Sequence, residues 1–97
     1  MKAKSSGIKA ASAVIHAHPC WYLGMSIRDD GSATDVIANV WDSETTTTTN
    51  DVQIDVLQCS DEVRNECHVM QFPIWCSKGL SVVLDAAEGD YVVWYAL

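Results

Sequence analysis

Positive charge is scarce in this chain. Six lysines and arginines stand against thirteen aspartates and glutamates, a formal charge of −7 over 97 residues. Nucleic-acid binding draws on Lys and Arg to neutralise phosphates, so this balance argues against a nucleic-acid partner. A membrane-spanning run is also missing. Residues 10–27 are uncharged, but Ser12, His16, His18, Pro19, Gly24 and Ser26 make them a poor span, and no membrane partner is expected. The opening MKAKSSGIKAASAVIHAHPC is interrupted by Lys9 and two histidines, so it lacks the apolar centre of a secretion signal. A soluble chain made in the cytoplasm is expected. Nucleophile elbows, phosphate loops and metalloprotease motifs are absent too. The acid pairs Asp29–Asp30 and Asp61–Glu62 sit in turn-like stretches, where carboxylates are ordinarily just solvated. A non-enzymatic protein without a cofactor is the expectation.

What is present is an ordinary globular balance, 48% hydrophobic and 20% charged, in a length that suits one domain. A chain of this size buries roughly two-thirds of its unfolded surface, enough for a single core. Four tryptophans are many for 97 residues, and interfaces are a natural home for some of them. The charge is unevenly placed. Residues 1–28 hold Lys2, Lys4, Lys9 and Arg28 and no acid, a charge of +4, whereas residues 29–97 hold all thirteen acids against Arg64 and Lys78, a charge of −11. The division is a basic N-terminal arm over 1–7 and one β domain over 8–97. Such an arm suits an acidic partner surface, a second copy included; its plain alternative is a solvated start.

Period-two alternation dominates, and helical periodicity is scarce. Residues 8–16 set Ile8, Ala10, Ser12, Val14 and His16 on one side. Residues 20–28 set Trp21, Leu23, Met25 and Ile27 against Tyr22, Gly24, Ser26 and Arg28, and the RDDGS that follows is a turn. Residues 35–42 give Val36, Ala38 and Val40 against Ile37, Asn39 and Trp41. Residues 51–58 give Val52, Ile54 and Val56 inward against Gln53 and Asp55 outward. Residues 68–75 are extended, with Pro73 marking a sheet edge or a bulge. Strands at 79–85 and 90–97 follow. The threonine run at 45–50 reads as a hairpin tip, and SDEVRNE at 60–66 as a helical turn or a charged loop. About seven strands with short polar turns predict an all-β, antiparallel sandwich with jelly-roll or Greek-key connections.

Cys20, Cys59, Cys67 and Cys76 allow three pairings, and spacing does not choose among them. Free buried thiols, one or two disulfides, and a metal site all stay open. Cys59 and Cys67 flank a seven-residue loop and are placed to close a hairpin. The metal reading rests on that cysteine spacing and on His16 and His18, two apart on one strand face. Structural zinc motifs cluster cysteines two to four apart, so the plainer reading puts these histidines at a sheet edge and expects no metal.

The stretch FPIWCSKGLSVVL, followed after a Gly-Asp turn by YVVWY, resembles a group of small virion proteins of tailed bacteriophages. In that group a Gly-Leu or Gly-Ile pair opens a penultimate strand, and a last strand of Val and aromatic residues follows. Here those positions are Gly79, Leu80, Val82, Leu84, Val92, Val93 and Tyr95. WYLGMSI and DVIANVWDS, ending at Asp42, resemble the group's early strands. The four cysteines, the threonine run and the acidity depart from the pattern. The resemblance implies a β-sandwich subunit that decorates or cements a capsid, with no catalytic residues. Its expected partners are the major capsid protein or another virion protein and further copies of itself, and its expected location is the virion. The alternative is a tail- or fibre-associated module that binds a host-surface glycan or protein. The interface candidates are Lys2, Lys4, Lys9, Trp41, Trp94 and Tyr95, with one face of the last strand in the core and the other on a neighbour.

Overall fold

The computed structural model describes residues 2–29, 35–60, 64–85 and 89–97. Among these residues the alternating segments form eight strands and no helix. They are β1 (Lys4–Ser5), β2 (Ala13–His16), β3 (Cys20–Asp29), β4 (Val36–Asp42), β5 (Val52–Cys59), β6 (Asn65–Cys76), β7 (Leu80–Leu84) and β8 (Gly89–Ala96). One antiparallel sheet, sheet A, has the order β1-β8-β3-β6, and the other, sheet B, has the order β2-β7-β4-β5. The pairs β4–β5, β3–β6, β2–β7 and β1–β8 nest inside one another, and the chain changes sheet at every connection except β4 to β5. This is the jelly-roll form of the β-sandwich.

Apolar residues fill the space between the sheets. Tyr22, Met25 and Ile27 of β3 and Tyr91 and Val93 of β8 face Val36, Ala38 and Val40 of β4, Leu57 of β5, and Leu80 and Val82 of β7. Burying each larger side chain contributes about 1.5–3 kcal/mol, which is the main term holding the layers together. The expected phase of β4 is the observed one. In β5 Gln53 lies outward opposite Trp41 and Ile54 packs against the core, as expected, but the phase inverts beyond Ile54: Val56 is exposed, while Leu57 and Cys59 are buried, and Val52 at the strand's start is exposed as well. Two things cause the inversion. The register slips at Val40/Trp41, leaving Ile54 opposite no partner. Asp55 is drawn inward because it accepts a 2.7 Å hydrogen bond from the Tyr22 hydroxyl.

A second irregularity reorients β3. Leu23 is an extra residue between Tyr22, opposite Tyr95, and Gly24, opposite Trp94, so Tyr22 joins Met25 and Ile27 inside while Trp21 faces out. The expected grouping of Trp21 with Met25 therefore does not hold. Gly24 is required at this bulge. Its φ is +147°, and a Cβ there would stand 2.3 Å from the His68 carbonyl oxygen. Across the pair, β6 jumps from Val69 to Ile74, leaving Met70–Pro73 unpaired with β3. Pro73 thus lies both on an edge strand and in a bulge, as its missing N–H requires.

The last strand is internal. β3 flanks it on one side, and the N-terminal residues cover its other edge. Lys4 and Ser5 pair with Tyr95 and Trp94, and Ser6 N donates to Val93 O. Lys9 and Tyr91 exchange two 2.8 Å backbone hydrogen bonds. Only Ala13–His16 of the strand expected over 8–16 pairs with sheet B. Residues 30–32 of the RDDGS turn, and residues 61–63 of the 60–66 segment, lie outside the described residues.

Candidate docking surface

Alternation that puts Tyr22, Met25, Tyr91 and Val93 inside must put their neighbours on the outer face of sheet A. That face carries Trp21 and Ser26 from β3, Val92 and Trp94 from β8, and Cys67, Val69 and Trp75 from β6. Register lines them up in rows: Trp94–Gly24–Val69 and Val92–Ser26–Cys67, with Trp21 opposite Trp75 at the end. The Trp21 and Trp75 rings sit 4.9 Å apart at 58°, a geometry worth about 0.5–1.5 kcal/mol beyond burial. Gly24 leaves the middle row without a side chain, which keeps the face low there. Phe72 projects from the β6 bulge. Val69 is 75% exposed and Trp75 48%, so the β6 half of the face is apolar and uncovered, and Phe72 in the neighbouring bulge is 78% exposed.

Polar groups gather at the opposite end. Arg28 donates to Asp90 Oδ2 at 2.7 Å, pairing the two charges with each other. Beside them is an open hollow of about 270 Å³ lined by Ile8, Ser26, Arg28, Asn65, Asp90 and Val92. That is below the usual size of a small-molecule site. The outer face of sheet B is different. Trp41, Ile37, Val83, Val14 and Val56 share it with a polar chain in which Gln53 Nε2 donates to Asn39 Oδ1 at 2.8 Å and Asn39 Nδ2 donates to Asp85 Oδ1 at 3.2 Å. Gln58 bonds Asp35 at 3.1 Å.

Where β5 and β6 meet across the sandwich edge, a polar clasp joins the sheets. Asp55 lies 3.0 Å from His68 Nδ1, and Glu66 lies 2.9 Å from His68 Nε2. Both ring nitrogens therefore face carboxylates, which only accept, and neither is left for a nucleophile. Burial, reinforced by the bond to Asp55, pushes the Tyr22 hydroxyl well above its ordinary range, and burial pushes Tyr91 up to about 12. The clasp is a structural tie between layers.

The anticipated residues separate by face. Trp94 is half-buried on the outer face of sheet A, whereas Tyr95 points inward, packs on the core and lies 5.6 Å from the His16 ring. Trp41 is half-buried on the outer face of sheet B. Lys4 of β1 pairs with Tyr95 and Lys9 bridges Tyr91 beside β8, and Lys2, Lys4 and Lys9 are all exposed. His16 and His18 contact edge to face at 5.8 Å. Among the described residues no group of three or more His, Cys, Asp or Glu is placed to hold a metal ion, and no helix is long and apolar enough to cross a membrane. The four cysteines are free thiols. Cys59 is buried in the core and Cys67 is exposed on the outer face of sheet A, so these two do not close the hairpin considered above. Cys20 and Cys76 stand opposite each other on β3 and β6.

Residues missed by inspection of the sequence are Trp21, Val69, Phe72 and Trp75. The signal for Phe72 was Pro73: a bulge throws its neighbours off the ladder. Comparison with known proteins finds no matching family model, no matching curated protein and no matching solved structure, so the functional reading rests on the surface itself.

Proposed function

We propose that the chain is a non-catalytic structural subunit of a bacteriophage virion, a shell-decorating or cement protein that docks through the outer face of sheet A. The supporting observation is exposed Val69 and Trp75 beside Trp21 on this face, with exposed Phe72 in the adjoining β6 bulge, an apolar area of the kind that marks protein interaction sites. The one ion pair described on this face, Arg28–Asp90, is matched internally, so covering it leaves no lone charge. Exposed Lys4 and Lys9 lie beside β8 at the same sheet's margin, with Lys2 exposed just before them in the chain, and they suit an acidic rim on the partner. The partner is the major capsid protein, with further copies of the subunit as neighbours.

The test is co-sedimentation with shells assembled from the capsid protein of the same genome. Phe72→Ser and Trp75→Ser are expected to weaken binding tenfold or more while the melting temperature stays within a few degrees. Unchanged binding by both variants sinks the reading. A second reading, a tail or fibre module for a host glycan, draws support from the Trp21–Trp75 pair, since indole faces stack on sugar rings. Quenching of tryptophan fluorescence by oligosaccharides, lost in Trp75→Ser and without shell binding, would favour it.

A further inference from the structure

We propose that Cys20 and Cys76 are a reversible disulfide site, closed when the protein meets a low-molecular-weight disulfide. Cys20 opens β3 and Cys76 closes β6, and the two are directly opposed in the antiparallel ladder. Opposed residues in such a ladder have Cα atoms about 4.5–5.5 Å apart, inside the span that a disulfide bridges. Both side chains face the core and are wholly buried, and the Cys76 thiol donates to the Ile74 carbonyl at 3.8 Å. The other two cysteines lack this arrangement, since Cys67 lies opposite Ser26 and Cys59 opposite Val36.

The site lies at the end of the ladder, which gives a reagent its way in. Exposed Ala17, His18 and Pro19 lead into Cys20, and exposed Ser77 and Lys78 follow Cys76. Ser77 N and Lys78 N donate to the Asp42 carboxylate at 3.1 and 2.9 Å, so release of these bonds with fraying of the last pair uncovers both sulfurs without unfolding the sheet. The neighbouring Cys76 lowers the Cys20 thiol, while the neighbouring Cys20 and burial push Cys76 up, so the exchange starts from Cys20. Its thiolate attacks one sulfur of the reagent, forming a mixed disulfide and expelling one small thiolate. The Cys76 sulfur then attacks Cys20, releases its proton and expels the second small thiolate. Two protein thiols are oxidised, one reagent disulfide is reduced to two thiols, and both protons end on those thiols.

The bond would pin edge strand β6, which has β3 as its partner in the sheet, directly beside the Trp21–Trp75 pair on the opposite face. It would thus stiffen the free side of sheet A. The inference stands whether or not that face docks on a shell.

The experiment uses the full chain carrying Cys67→Ser, which removes the exposed thiol. It is incubated with oxidised glutathione, denatured, alkylated and peptide-mapped. The expected product links the Cys20 and Cys76 peptides, leaves Cys59 alkylated, and melts about 10 °C or more above the reduced form, an increase that dithiothreitol reverses. Adding Cys76→Ala is expected to abolish that increase; if that variant does not fold, the peptide map alone decides. Recovery of Cys20 and Cys76 as alkylated thiols, as glutathione adducts only, or bridged to Cys59 overturns the proposal.

Discussion

The two sheets share one core and both carry apolar residues outside, but only sheet B laces its outer face with amide hydrogen bonds. On sheet B, outward Asn39, Gln53, Gln58 and Asp85 bond one another or their neighbours among Trp41, Ile37, Val83, Val14 and Val56. On sheet A the corresponding positions are Trp21, Val69, Trp75, Val92 and Trp94, with Ser26 and the Arg28–Asp90 pair as relief. A face laced with amide hydrogen bonds is satisfied in water. A face of indole and valine is not, and it gains by being covered. The alternation rule is common to both, so the difference lies in which residues were placed outward.

Substitutions on either side of one strand break this comparison most sharply. The inner face sets the scale: Met25→Ala should cost about 2–5 kcal/mol in urea unfolding, whatever partner is present. A smaller cost would mean that the layers are loosely packed. On β8, Tyr95→Ser should lower stability by about 2–3 kcal/mol, since its ring packs on the core and on His16. Trp94→Ser, one residue away on the outer face, should cost about 1 kcal/mol and weaken docking instead. If the two substitutions behave alike, the inner and outer faces of β8 are not distinct.

Alkali tests the inner face without mutation. Tyr91 is raised to about 12, so the folded state holds its proton after the unfolded state has released it. The stability this contributes is full below pH 10 and is lost as pH rises from 10 to about 12, at about 1.4 kcal/mol per unit. Tyr22 is raised as well and adds to the slope. Urea midpoints at pH 9, 10 and 11 check the sign, and a flat profile contradicts it.

Smaller effects are expected on the outer faces. Trp75→Ser on sheet A and Val56→Ser on sheet B should each change stability by about 1 kcal/mol or less, yet only the first should impair docking. Equal loss of docking would erase the distinction between the sheets. Smallest of all, replacing Lys2, Lys4 and Lys9 by Gln should leave stability within about 0.5 kcal/mol. It should also weaken docking more at low salt than at high salt, which titrations at two ionic strengths read directly.

Much of the architecture was legible because alternation is local. Val36, Ala38 and Val40 declared their face unaided, and Pro73 announced an edge or a bulge that is in fact both. Alternation reveals that a strand has two faces but not which of them is inside. For β5 that choice fell to Asp55, held by Tyr22 from 33 residues away. For β3 it fell to the extra residue Leu23, which only the ladders to β6 and β8 disclose. The apolar outer face of sheet A was hidden for the same reason, since Trp21 and Trp75 are 54 positions apart until the register of β3 and β6 brings them together. The sequence by itself determined an all-β chain with more apolar faces than one core requires. Only the tertiary structure decided which face is left open, which thiols meet and where the basic arm lies, because each depends on long-range pairing that period-two alternation does not encode.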